Sequence, residues 1–194
     1  MTSLPLIVGY SLSAAWITKG FVELFPFVIS SLLVFCITSY LRLKNDFEDF
    51  EKDSIAFTDR PLPRGLISRR AAQEVIQYLE YILAGFLGTI FIFYPTETKF
   101  IVLLLGGYLW LMGHKFYLPR WQKRSPLLRE ILGQAFLILL TLLIIAIWAP
   151  TEVFFLPSLS YTLIVFGAVF VNDLCRKLDP YAHPASLSFI HYYG

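Results

Sequence analysis

Residues 137–148 read LILLTLLIIAIW, an almost unbroken hydrocarbon stretch in which Thr141 carries the one hydroxyl side chain. Strands of a membrane barrel alternate apolar and polar residues, so this stretch favours a helix with apolar groups all round. The composition agrees, because 57% of the 194 residues are hydrophobic and only 15% are charged, whereas about a quarter of an ordinary soluble domain is charged. The sequence therefore predicts an all-α, multi-pass membrane helix bundle.

Apolar runs that approach the length needed to cross a bilayer, about 20 residues, recur along the chain. We predict six transmembrane helices, at residues 4–16 and a little beyond, 25–43, 71–93, 100–116, 127–149 and 153–171. No cleavable signal peptide is expected, because no basic residue precedes Lys19. Residues 1–194 are expected to form a single membrane domain.

The basic residues predict the orientation of the chain in the membrane. Of the 16 Lys and Arg residues, fourteen fall in three segments, at 42–70, 115–129 and 172–194, and the remaining two lie in alternate loops. Cytoplasmic loops carry the excess of Lys and Arg, so the N-terminus and these three segments are predicted to be cytoplasmic. The net charge of +2 is small and the basic residues are interrupted by acids, which argues against a nucleic-acid partner.

The first cytoplasmic segment carries a regular row of acids. If the second helix continues into it, Asp46, Asp49 and Asp53 stand at i, i+3 and i+7 and form one stripe, with Asn45 one turn before Asp49. Like charges on one face repel each other, so a cation is expected there, and Mg²⁺ favours a few carboxylates together with phosphate oxygens. The alternative is a solvated acidic helix end. The position, where an apolar helix leaves the membrane, favours a functional site.

A second element follows the acids after six residues, with the sequence Arg60-Pro61-Leu62-Pro63-x-Gly65-x-Ile67-Ser68. Together with Asn45-Asp46-x-x-Asp49-x-x-x-Asp53, it resembles the first aspartate-rich signature of the UbiA-type intramembrane prenyltransferases. Members of that family are all-helical membrane proteins that move an isoprenoid chain from its diphosphate onto an acceptor such as an aromatic ring. The resemblance implies that Asn45, Asp46, Asp49 and Asp53 hold Mg²⁺ ions that bridge to the diphosphate. It also implies that Arg60 lies near the same phosphates.

The resemblance places a second acidic motif near residues 171–180, which read VNDLCRKLDP. It implies that Asp173 belongs to a second metal site and that Arg176 and Lys177 contact the diphosphate. The stretch departs from repeated aspartates, because only Asp173 and Asp179 are present, six residues apart. On a helix, Asp173 and Lys177 are one turn apart and could instead pair with each other.

The residue types suit the chemistry that the resemblance implies. Ionising an allylic C–O bond leaves a carbocation and a diphosphate, so catalysis needs metal and basic side chains where negative charge develops. It also needs an apolar cavity that keeps water from the carbocation. Phe47, Phe50 and Phe57 near the motif offer rings to a cation, or else they serve ordinary helix packing.

The expected function is thus Mg²⁺-dependent transfer of a prenyl group from an isoprenyl diphosphate to a hydrophobic acceptor, in contact with membrane lipid. The chain corresponds to about two-thirds of the family fold, so we expect a C-terminally short member or fragment with impaired transfer, or a short form that closes its cavity as a homo-oligomer. Two readings from other classes stay open. One is a non-enzymatic membrane protein that binds isoprenoid or anionic lipid head groups, and the other is a small transporter with intramembrane carboxylates.

Overall fold

The computed structural model describes residues 4–114, 116 and 125–178, and this part of the chain is helical. The helices are α1 (Leu4–Thr18), α2 (Leu24–Glu48), α3 (Phe50–Ala56), α4 (Arg69–Phe93), α5 (Thr96–Gly113), α6 (Pro126–Gln134), α7 (Phe136–Trp148) and α8 (Leu156–Lys177), with a 3₁₀ turn at Pro150–Glu152. The predicted all-α membrane bundle is confirmed. Most of the basic loop at 115–129 and of the tail at 172–194 lies outside the described residues.

A helix lies within each of the six ranges predicted to span the membrane, and four spans are long and apolar enough to cross it. These are Leu24–Glu48, Arg69–Phe93, Leu127–Trp148 and Leu156–Cys175, in the part of the chain that the structure describes. The first predicted span is not among these four because α1 has only 15 residues, fewer than the ~20 that a bilayer core requires. The fourth predicted span is also not among them, because Glu97 and Lys99 in the first turn of α5 shorten its apolar part.

Helix α7, the decisive apolar stretch, forms the centre of the bundle. It packs against α1, α2, α5, α6 and α8, and Leu143, Ile144 and Ile145 are at most 1% exposed. Of the apolar window of span Leu127–Trp148, 44% is buried inside the protein, compared with 11% for the span formed by α8. A helix that is apolar on every side belongs in such a central position, since it has no polar face to direct towards water.

Hydroxyl groups join α1 to the neighbouring helices inside this apolar bundle. Thr141 donates to the Leu137 carbonyl at 2.6 Å, so its oxygen accepts the hydrogen bond from the Tyr10 hydroxyl. Ser13 donates to the Tyr10 carbonyl at 3.1 Å and accepts from the Tyr161 hydroxyl at 2.5 Å. Each hydroxyl proton thus has an acceptor, which is what an environment without water requires.

A third hydroxyl pair joins α1 to α2. Ser30 donates to the Pro26 carbonyl at 2.7 Å, and Ser11 hydrogen-bonds to the Ser30 hydroxyl. Both serines are fully buried. The hydroxyls of α1 are therefore among the groups that attach it to α2, α7 and α8.

The span formed by α6 and α7 is interrupted at Ala135, which ends one helix and precedes the next. The Tyr108 hydroxyl of α5 donates to the Leu132 carbonyl in the last turn of α6, at 2.6 Å. Breaks in membrane helices are tolerated where a neighbouring side chain satisfies the backbone groups that the break leaves exposed. Tyr108 serves this purpose here.

Candidate functional site

The acidic motif begins at the junction of α2 and α3. Helix α2 ends at Glu48, and Asp49, with φ −85° and ψ 6°, separates it from α3. The Asp49 N–H still donates to the Asn45 carbonyl at 2.9 Å, and the Asp49 carbonyl accepts from the Asp53 N–H at 2.8 Å. The predicted continuation of the helix is therefore nearly right: the helix is interrupted at Asp49, but the hydrogen bonds between residues four apart continue through it.

The segment that follows α3 turns the chain back towards these acids. Pro61 and Pro63 have no N–H to donate, and the turn is closed by hydrogen bonds from Gly65 to Leu62 and from Leu66 to Pro61, both 3.0 Å. Gly65 has a φ of +71°, which only glycine adopts without strain. Leu62 is 5% exposed and anchors the turn in the protein.

Arg60 immediately precedes this turn, where its N–H donates to the Phe57 carbonyl at 3.1 Å, and its side chain contacts two of the three aspartates. Its Nη1 lies 2.5 Å from Asp53 Oδ2 and 3.4 Å from Asp46 Oδ1. The side chain of Asp53 is only 2% exposed, that of Asp46 is 30% exposed, and that of Arg60 is 39% exposed. A buried carboxylate requires a counter-charge, and a single guanidinium nitrogen here serves both acids.

The aromatic residues of the motif face arginines. The Arg60 guanidinium lies over the Phe57 ring, with 4.6 Å from Cζ to the ring centroid. Arg69, the first residue of α4, lies over Phe47 at 5.4 Å and Phe50 at 4.9 Å. These distances are within the range of cation–π attraction. The two arginines therefore attach the start of α4 and the preceding turn to the α2–α3 junction.

A second polar contact joins α2 to α4 one turn before the acids. Lys44 donates to the Tyr40 hydroxyl at 2.8 Å, and that hydroxyl donates to Glu80 Oε1 at 3.0 Å. Lys44 Nζ also lies 3.8 Å from Glu80. A glutamate within an apolar run is the one sign of this group in the sequence. Because Lys44 and Glu80 carry opposite charges, this group holds α2 and α4 together.

The second motif lies on α8, which packs against α1, α6 and α7. The Asp173 carboxylate accepts a hydrogen bond from Gln134 Nε2 of α6 at 3.0 Å. The sequence analysis does not assign Gln134 to the site, although an amide within a long apolar span is the kind of residue that marks a polar contact. Arg176 and Lys177 are within α8, but their side chains lie outside the described residues, as does all of Asp179.

The predicted site residues are thus partly brought together. Asp46, Asp53 and Arg60 form one cluster. Asp49 is exposed at the helix junction, makes no ion pair with the described residues, and lies one turn from Asp53. Asn45 is exposed in the last turn of α2. In the described ranges, no group of three or more His, Cys, Asp and Glu residues has the arrangement of a metal site.

The donor set at this position fits a divalent cation. Asp46 and Asp53 are close enough for one nitrogen to contact both carboxylates, so a single cation position is shared between them. Mg²⁺ is usually held by one or two carboxylates, completed by water and substrate phosphates, and does not need a full protein cage. The residues that would hold it are Asp46 and Asp53. Asp49 lies between these two acids in the sequence.

The class of protein is therefore a multi-pass membrane helix bundle with an acidic motif, paired with an arginine, where two helices meet. Within that class, the model of the UbiA prenyltransferase family matches residues 3–183, and the chain belongs to this family. No curated protein and no solved structure matches the chain. Family membership and the four apolar spans make the chain an integral membrane protein. They also indicate a membrane prenyltransferase.

Proposed function

We propose that the protein transfers a prenyl group from an isoprenyl diphosphate to a hydrophobic acceptor, with Mg²⁺ as cofactor. The observation that carries the proposal is the cluster of Asp46, Asp53 and Arg60, in a chain that belongs to the UbiA prenyltransferase family. Carboxylates for a metal and a guanidinium for phosphate are the two chemistries that binding a diphosphate requires.

Each residue of the proposed site has a separate task. Mg²⁺, held by Asp46, Asp49 and Asp53, would stabilise negative charge on the departing diphosphate. Arg60 supplies planar N–H donors, which match phosphate oxygens better than a point charge does. Asp173 is proposed as the acid of the second motif, where Gln134 fixes the direction of its carboxylate. Asn45, Arg176 and Lys177 complete the proposed diphosphate contacts.

The surroundings suit a carbocation intermediate. The two spans that adjoin the motif, formed by α2 and α4, are each long and apolar enough to cross a membrane. Water that reached the allylic cation would capture it, so an apolar lining protects the transfer. The prenyl chain and the acceptor are proposed to approach from the lipid side. We further propose that the motif and the N-terminus face the cytoplasm, because the basic residues cluster there.

The test is incubation of the purified chain in detergent with radiolabelled prenyl diphosphates of several lengths, with and without Mg²⁺. Binding is measured by filtration and transfer by release of pyrophosphate. We expect Mg²⁺-dependent binding that Asp49→Ala and Asp53→Asn abolish. Glu51→Gln is the matched control, because Glu51 is an exposed acid of the same short helix that is not assigned to the site. This variant should bind as the wild type does.

The outcomes separate the candidate functions. Binding together with pyrophosphate release supports the enzyme, whereas Mg²⁺-dependent binding without release supports a non-catalytic isoprenoid-binding protein. If prenyl diphosphates bind equally well with and without Mg²⁺, or if Glu51→Gln is as damaging as Asp53→Asn, the proposed metal site is refuted.

A further inference from the structure

Arg60 is held by only part of its guanidinium group. Both contacts to the aspartates use Nη1, and one face of the group lies over Phe57. A guanidinium has five N–H donors, and those on Nη2 and Nε have no hydrogen-bond acceptor among the described residues. Arg60 is therefore a cation with a fixed point of attachment and unused donors.

The charges around Arg60 are not balanced. Two carboxylates carry two negative charges, and Arg60 supplies one positive charge. Asp53 depends on that charge most, since its side chain is 2% exposed and water solvates it little. Asp53 Oδ2 and Asp46 Oδ1, which Arg60 contacts, are oxygens of the carboxylates proposed to hold the metal. A metal ion at the position between them would lie against Nη1 and be repelled by its charge.

We propose that Arg60 is the counter-cation that occupies the metal position until a divalent ion replaces it, and that its release supplies the guanidinium that binds the diphosphate. This inference rests on the proposed function. Before the metal arrives, Arg60 neutralises Asp53. When the metal takes over that role, Nη1 leaves the carboxylates and joins the unused donors in contacting phosphate oxygens. Binding of metal and binding of diphosphate therefore favour each other, as linkage between two sites requires.

The decisive measurement is the affinity of the purified 194-residue chain for Mn²⁺ alone, followed by electron paramagnetic resonance of the free ion. Mn²⁺ prefers the same oxygen ligands as Mg²⁺. With its competitor removed, Arg60→Gln should bind Mn²⁺ about tenfold more tightly than the wild type. Its affinity for radiolabelled geranyl diphosphate at saturating Mn²⁺ should be about tenfold weaker. Arg64→Gln, which removes an exposed arginine of the same turn, should change neither affinity.

Unfolding of the variant is itself informative. Without Arg60 the buried Asp53 charge has no partner, so Arg60→Gln should unfold at a lower temperature than wild type in chelator, and Mn²⁺ should restore that temperature. If saturating Mn²⁺ does not restore the unfolding temperature of Arg60→Gln, or if this variant binds Mn²⁺ no more tightly than wild type, the proposed exchange of Arg60 for the metal is refuted. If the wild type itself binds no Mn²⁺, the proposed function fails with it. If the wild type binds Mn²⁺ and geranyl diphosphate but Arg60→Gln gains no Mn²⁺ affinity, only this inference fails.

Discussion

The hydroxyl pair between Tyr10 and Thr141 predicts two substitutions of very different cost. Because Thr141 donates its proton to the Leu137 carbonyl, Tyr10 is the donor and Thr141 the acceptor of the bond between them. Tyr10→Phe removes the donor and leaves no group without a partner. Thr141→Val keeps the shape of the side chain but removes the acceptor, so the Tyr10 hydroxyl remains in an apolar environment with its proton unpaired.

The expected magnitudes follow from this direction. Hydrogen bonds between membrane helices contribute about 0.6 kcal/mol on average and at most about 1.7, so Tyr10→Phe should cost about 0.6 kcal/mol. Thr141→Val should cost about 2 kcal/mol, because leaving a buried polar group unpaired costs roughly 1 to 3 kcal/mol. Once Tyr10 is Phe, no unpaired hydroxyl is left, and the further change to Val should add less than about 0.5 kcal/mol.

The assay is reversible unfolding of the purified protein in mixed micelles of dodecyl maltoside and increasing fractions of dodecyl sulfate. The free energy of unfolding is compared for wild type, both single variants and the double variant. Thr141→Ser is the control, because it retains the hydroxyl acceptor at a residue that is 1% exposed. Equal costs for the two single variants, or a double variant whose cost is their sum, would refute the assigned donor direction.

Three further predictions concern the segments around the candidate site, each measured in the same unfolding assay unless stated otherwise. Gly65→Ala should cost about 1 kcal/mol, because a φ of +71° strains a residue with a Cβ atom; no loss of stability would contradict this. Arg69→Gln should cost about 1 kcal/mol through two lost cation–π contacts, while Arg70→Gln, which breaks only an exposed pair with a neighbour on the helix, should cost less than about 0.5. Gln134→Glu should weaken prenyl diphosphate binding more than Gln134→Leu does, by about tenfold, because it sets a second carboxylate 3.0 Å from that of Asp173; equal effects of the two changes would show that the charge is irrelevant.

Much of the architecture follows from the length and purity of the apolar runs. A run such as residues 137–148 has to be a helix among apolar groups, and the structure places it at the centre of the bundle. The break at Ala135 has no equally clear cause in the sequence, because no proline marks it. The break is accompanied by a contact from another helix, in which the Tyr108 hydroxyl donates to the Leu132 carbonyl near the break. Periodicity within one segment carries no information about such a partner.

The candidate site shows the same division. The spacing of Asp46 and Asp53 predicts that they lie on one side of a helix, and a single nitrogen does contact both. That nitrogen belongs to Arg60, which lies beyond the end of α3 in a turn closed by its N–H on the Phe57 carbonyl, and the acid spacing does not predict this partner. Asp173 and Gln134, 39 positions apart, meet only because α6 and α8 pack together. The local pattern thus predicts which acids lie together, whereas their hydrogen-bond and ion-pair partners depend on the tertiary fold.

The balance of charge at the acidic cluster has a consequence for the order in which ligands bind. A diphosphate carries several negative charges, and the cluster of Asp46, Asp53 and Arg60 is itself negative by one unit, with Asp49 adding another. On the proposed function, a free diphosphate that approaches this cluster is repelled, since the two carboxylates outweigh the single positive charge of Arg60. A divalent ion reverses the sign of the position it occupies. The metal must therefore arrive either before the diphosphate or together with it, so that the phosphates can bind beside Arg60.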